Sequence, residues 1–81
     1  MSREEVVKIV NNFLAEEIEI EEDLLKDDAL LKDDLGIDSL DFVDIVVIVE
    51  RHFGFKIKAE ELSNVRTLAQ FYDYIEGKIN K

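Results

Sequence analysis

Apolar positions along this chain fall into three blocks with helical spacing, joined by segments that keep no single period. In the first block Val6, Ile9, Val10, Phe13 and Leu14 recur at three and four residues, with Lys8, Asn11, Asn12 and Glu16 opposite them. Ser2 and Glu5 stand ahead of it in the form of a capping box, so the pattern predicts a helix over 3–16. Residues 17–37 follow without a fixed period. Ile18 and Ile20 alternate with acids, then Leu24, Leu25, Ala29, Leu30, Leu31 and Leu35 recur among Asp and Lys. A connection of this length is unusual in a compact domain. Its leucines predict a loop pinned to the core, with a turn of helix near Asp28–Leu31, and Gly36 supplies permissive backbone at its end.

The second block carries conflicting local signals. Ile45 to Val49 are five consecutive β-branched residues, which propensity alone would assign to a strand. Asp38 is placed as an N-cap, Asp41 lies in the first turn where the dipole favours an acid, and Gly54 closes the segment. Length and caps therefore predict a helix over 39–53, with Ile45, Val49 and Phe53 as its core-facing line. Phe55 to Ile57 reads as extended or turning, and 59–64 as a single helical turn around Glu60, Glu61 and Leu62. Thr67 and Gln70 form a second capping box before Leu68, Phe71, Tyr72 and Ile75, predicting a helix over 67–79. Gly77 is expected to loosen its end, where Lys78 and Lys81 suit the carbonyl pole. The sum is an all-α fold: a small four-helix bundle of three main helices and one short one, with a long first loop. Residues 1–81 form one domain.

Composition sharpens this picture. A chain of 81 residues buries a modest fraction of its surface, and with no cysteine it must rely on helix packing. An apolar content of 47% is ordinary for a globular protein and argues against disorder. Twenty acids against ten bases leave a net charge of −10, which excludes nucleic acid and anionic membrane surfaces as partners. Thirteen of those acids lie between Glu16 and Asp44, with only Lys26 and Lys32 among them. A field this one-sided suits a partner with a basic patch. It also predicts that salt or divalent cations stabilise the fold. The N-terminus shows no apolar run of signal-peptide length, and the longest apolar stretch, Ile45–Val49, is too short to insert in a membrane. A cytoplasmic monomer is expected.

Candidate chemistry is scarce. His52 is the only histidine, and from Ser39 it lies about 20 Å along the same helix at about 1.5 Å per residue, so no Ser–His relay forms. Aligning Gly36 with the sixth position of a calcium loop puts Leu31, Leu35 and Phe42 where acids are required, so no calcium loop forms either. No cysteine or paired base is present, and an enzyme is not expected. What remains is Ser39 at the start of a helix, in the run Leu35-Gly36-Ile37-Asp38-Ser39-Leu40-Asp41.

That run resembles the phosphopantetheine attachment motif of acyl carrier proteins. The likeness extends over the first helix, the long loop, Asp38-Ser39-Leu40, Phe53, the Glu60-Glu61 turn and Tyr74-Ile75 before Gly77. It implies that Ser39, flanked by Asp38 and Leu40, carries 4′-phosphopantetheine from coenzyme A, whose thiol holds acyl groups as thioesters. A phosphate there would meet free N–H groups at a helix start, against repulsion from Asp38 and Asp41. The partners implied are a phosphopantetheinyl transferase and acyl-loading and chain-processing enzymes with basic docking patches. They would meet Asp38, Asp41, Asp44 and Glu50, with Val43 and Val47 as apolar contacts. Helix 39–53 is apolar almost all round, counting Leu40, Phe42, Val43, Val46, Val47 and Ile48. It is therefore expected to help line an acyl pocket, from Leu40, Val43, Ile45, Val46, Val49, Phe53, Leu62 and Leu68, where each buried methylene is worth up to about 0.8 kcal/mol.

Arg51-His52, where fatty-acid members continue with acids, points to a dedicated pathway, and Lys58 stands where proline is common. His52 itself reads as a dipole partner at a helix C-terminus. Fatty-acid or polyketide cargo is favoured; an aminoacyl or peptidyl carrier, such as a D-alanyl carrier, and an acidic interaction module without a prosthetic group are the alternatives.

Overall fold

In a computed structural model of the chain, described over residues 2–80, each apolar block becomes a helix whose ends are set by identifiable caps. Helix α1 spans Arg3–Glu16; Ser2 and Glu5 close the expected capping box, and Val6, Val10, Phe13 and Leu14 are buried. Helix α2 spans Ser39–Phe53, α3 spans Ala59–Leu62 and α4 spans Leu68–Ile79. Thr67 and Gln70 cap α4 reciprocally, and Leu68, Phe71, Tyr72 and Ile75 pack inward from it. The architecture is the all-α bundle that the sequence predicts, with α1 packed against α4.

The β-branched run in α2 is helical because its two ends are fixed. Asp38 accepts from the Asp41 N–H at 3.0 Å and Asp41 accepts from the Asp38 N–H at 3.3 Å, a complete capping box built from two aspartates. At the other end Gly54 adopts φ 78°, and its N–H donates to the Glu50 carbonyl at 3.0 Å. Only glycine enters that region without a Cβ penalty, so the helix stops there. Ile45, Ile48 and Val49 are the buried residues of α2; Phe53, expected in this line, is only half-buried and packs on the Phe55 ring.

The long loop departs from expectation in its detail. Asp28–Leu31 is not helical; the one 3-10 turn among the described residues lies earlier, at Glu22–Leu24. Leu30 forms an isolated antiparallel bridge with Thr67 instead. The Leu31 N–H donates to the Arg66 carbonyl at 2.9 Å, and the Leu68 and Ala69 N–H groups donate to the Ala29 and Asp27 carbonyls. The loop satisfies its backbone against the start of α4, so it has no need of a helical turn of its own. Ile20, Ala29, Leu31, Leu35 and Ile37 are buried, which pins it to the core as predicted.

Two smaller corrections concern α3 and α4. Helix α3 ends at Leu62 rather than 64, because the Asn64 and Val65 N–H groups turn back to the Glu61 and Leu62 carbonyls. Gly77 does not loosen α4: the helix runs through it to Ile79, and the Asn80 N–H reaches the Glu76 carbonyl at 3.0 Å. Lys78 lies in the last turn and pairs with Glu61 at 3.0 Å, whereas Lys81 falls outside the described residues. No helix is long and apolar enough to cross a membrane among the described residues.

Candidate functional site

Ser39 is held in place by the segment that precedes it. Leu35 and Ile37 are buried, the Gly36 N–H donates to the Lys32 carbonyl and the Ile37 N–H to the Leu31 carbonyl. Gly36 at φ 68°, a region L side chains rarely adopt, swings the chain between those anchors. Asp38 then caps α2, leaving Ser39 as its exposed first residue. Among the described residues the Ser39 and Leu40 N–H groups have no acceptor, as befits the first turn of a helix.

The chain has three serines, and their hydroxyls are not equivalent. Ser2 is occupied by its capping box with Glu5, and the Ser63 hydroxyl donates to the Glu60 carbonyl at 2.7 Å. The Ser39 hydroxyl alone has no hydrogen-bond partner among the described residues.

Beside Ser39 opens a cleft of about 720 Å³, bounded by the long loop, α2, α3 and the segment leading into α4. Phe42, Val43 and Val46 of α2 face Leu62 and Val65 across it, with Leu30 and Leu31 as the third wall. Lys32, Asp33, Ser63 and Arg66 supply its polar groups. Its size falls within the range of small-molecule pockets, about 300–1,000 Å³.

Helix α2 thus has three working faces, separated by its 3.6-residue period. Ser39, Phe42, Val43 and Val46 line the cleft; Ile45, Ile48 and Val49 enter the core; Leu40, Val43 and Val47 form an outward stripe, 76%, 62% and 50% exposed. The cleft takes up only part of the expected pocket set. Val43, Val46 and Leu62 of that set line the cleft. Ile45, Val49 and Leu68 do not, because they pack in the core, while Leu40 projects to solvent. Phe53 sits at the opposite end of α2 from Ser39. Leu30, Leu31, Phe42, Val65 and Arg66 join the lining without belonging to the expected set. The loop leucines carry a signal of burial, but their partner wall depends on the bridge to Thr67, which no local pattern announces.

The expected docking residues are arranged more simply. Asp38, Asp44, Glu50, Val43 and Val47 are exposed, whereas Asp41 is half-buried with its carboxylate engaged as a cap. His52, exposed in the last turn of α2, also stacks on Phe13, ring centroids 6.1 Å apart. Arg51 approaches Glu17 at 3.9 Å. Behind α3, Glu61 meets both Lys78 and the Tyr74 hydroxyl; the Lys78 hydrogen bond chiefly holds its carboxyl below the usual range.

An unpartnered hydroxyl at a helix start, with a ligand-sized cleft beside it, is the feature of these described residues that the comparisons with known proteins bear on. Residues 8–75 match the family model described as "Phosphopantetheine attachment site". The chain is 38% identical over 78 residues to an acyl carrier protein of Thermotoga maritima, covering 96% of each. It is 34% identical to one of Coprothermobacter proteolyticus, covering 98% of this chain and 96% of that protein. To one of Prochlorococcus marinus it is 33% identical, covering 96% and 98%. The chain belongs to the acyl carrier protein family, whose members are carriers rather than enzymes and whose covalent prosthetic group is phosphopantetheine.

Proposed function

We propose that Ser39 bears the phosphopantetheine arm, and that the chain presents acyl intermediates to the enzymes of fatty-acid, polyketide or a related biosynthesis. The observation that carries this reading is the Ser39 hydroxyl, exposed and unpartnered at the lip of the apolar cleft, where the other two serines are engaged. The residues present fit the group: the outward hydroxyl is open to a transferase, and two N–H groups at the helix start favour an anion on it. When bound, the arm supplies the thiol that holds cargo, which a cysteine-free chain lacks.

The chain's own residues then have separate tasks. Phe42, Val43, Val46, Leu62 and Val65 offer an apolar wall that excludes water from a cargo chain. Leu40, Val43 and Val47, edged by Asp38, Asp44 and Glu50, present a surface to basic patches on the transferase and on loading and processing enzymes. An apolar lining supports acyl rather than aminoacyl cargo. A cytoplasmic location agrees with such partners.

The test is to incubate the protein with coenzyme A and a broad-specificity phosphopantetheinyl transferase and to measure the intact mass. One added phosphopantetheine, absent in Ser39→Ala, is expected. No gain, or a gain that persists in Ser39→Ala, overturns the assignment.

A further inference from the structure

The cleft beside Ser39 is edged by charges of the wrong sign for this protein. In a chain of net charge −10, two of the ten bases, Lys32 and Arg66, line it, against one acid, Asp33. Neither cation has a carboxylate within 4.0 Å among the described residues, where Arg3, Arg51 and Lys78 all do. The backbones that carry them are held beside the cleft. The Leu31 N–H donates to the Arg66 carbonyl, the Arg66 N–H donates to Gln70 Oε1 at 2.8 Å, and the Gly36 N–H donates to the Lys32 carbonyl. Backbone pairing of loop with helix start therefore brings both cations to the mouth of the cleft that Ser39 shares.

Resting on the assignment of the arm to Ser39, we infer that Lys32 and Arg66 are the counter-charges that hold the phosphodiester on that serine. A phosphate on Ser39 enters a field set by Asp38 and Asp41, whose carboxylates cap the same helix and cannot turn away without uncapping it. Free N–H groups offset part of that repulsion. A guanidinium and an ammonium across the mouth supply the rest, and Arg66 adds the planar donor fork that suits phosphate oxygens. They bias the root of the arm toward the cleft rather than toward the acidic outer stripe. They are positioning residues and take no part in forming the thioester.

The experiment compares apo and loaded forms of each variant, with loading confirmed by intact mass. A wild-type protein that gains no mass defeats the Ser39 assignment, an outcome distinct from any change in melting behaviour. Melting temperatures are measured for wild type, Lys32→Gln/Arg66→Gln, and Lys56→Gln, an exposed lysine away from the cleft. Because each variant is its own reference, a lowered apo stability does not confuse the reading. Loading is expected to depress the melting temperature of the double variant by roughly 2–5 °C more than that of wild type or Lys56→Gln. The excess should shrink strongly near 0.5 M salt, where the Debye length is only about 4 Å. In nitrogen-15 spectra the Arg66 side-chain N–H should shift on loading while the Lys56 amide does not. An equal loading effect in all three proteins, or an unmoved Arg66 resonance, overturns the inference. So does a difference that emerges only when the arm carries a succinyl group, since the anion held would then be a cargo carboxylate.

Discussion

The α1–α4 side and the α2–α3 side of this molecule are built on opposite terms. Where α1 meets α4, charges are matched: Arg3 pairs with Asp73 and with Glu76 at 2.7 Å, and its guanidinium lies 5.3 Å from the centre of the Tyr72 ring. Tyr72, only 1% exposed, donates its hydroxyl to Asn11 Oδ1, so its polar tip is satisfied inside the fold. Both helices start on complete capping boxes. On the α2–α3 side, α3 is four residues long with no side-chain cap, a cleft stays open, and three large apolar residues face solvent. One side closes the fold and the other is kept available. The difference teaches that closure and access are divided between two sides of one shared core.

Truncating the closed side should have the largest effect. Ile75→Ala, at a fully buried position, is expected to cost about 3 kcal/mol, lowering the melting temperature by more than about 10 °C. An equal loss from Leu40→Ala would break the comparison; that change should cost under about 0.5 kcal/mol while slowing modification by the transferase. Between these, Asp38→Ala should cost about 1 kcal/mol, since it removes one half of the α2 cap next to Ser39. Circular dichroism melts rank all three.

Two titrations sharpen the contrast further. Burial pushes the Tyr72 hydroxyl up from 10.0 to about 12. The folded state thus keeps a proton that the unfolded chain releases, and stability should fall as pH rises from about 10 to 12. Tyr72→Phe should flatten that part of the curve. Glu61 is held low, chiefly by its hydrogen bond to Lys78, so its contribution is present above the ordinary carboxylate range and lost as pH falls through its depressed value. The melting temperatures of wild type and Glu61→Gln should therefore converge in acid. Their separation at neutral pH should be small, because the pair is partly exposed. Smallest of all, added sodium chloride or magnesium should raise the melting temperature by screening the acids. No cluster of three potential ligands that could hold a metal exists among the described residues, so a saturable magnesium site would contradict this.

The closed side is also the more legible one in sequence. Ser2 with Glu5 and Thr67 with Gln70 announce their helices by spacing alone, and the buried residues of α4 are those its period selects. Helix α2 is readable at its ends for the same reason: Asp38 and Gly54 carry local signals that outweigh five β-branched residues. Ser39 stands out because its context is contiguous. The cleft does not, because it is made by tertiary pairing. Its lining joins residues 30–33 to 62–66 through a bridge between Leu30 and Thr67, and neither residue type foretells the other. An all-round apolar helix, moreover, does not say which face meets core, cleft or solvent. Its pattern therefore does not tell that Ile45 and Val49 are buried while Val43 and Val46 line the cleft.

That bridge has a consequence in time as well as in space. Leu30 and Thr67 are distant in sequence, with α2 and α3 lying between them, so their pairing closes a long loop and carries its entropic cost. Helices α1, α2 and α4 can form from neighbouring residues, whereas the bridge must await the docking of the last helix. The cleft is then among the final features to appear as the chain folds. A molecule with that bridge open would keep its helices and its serine, yet lose the shelter for cargo.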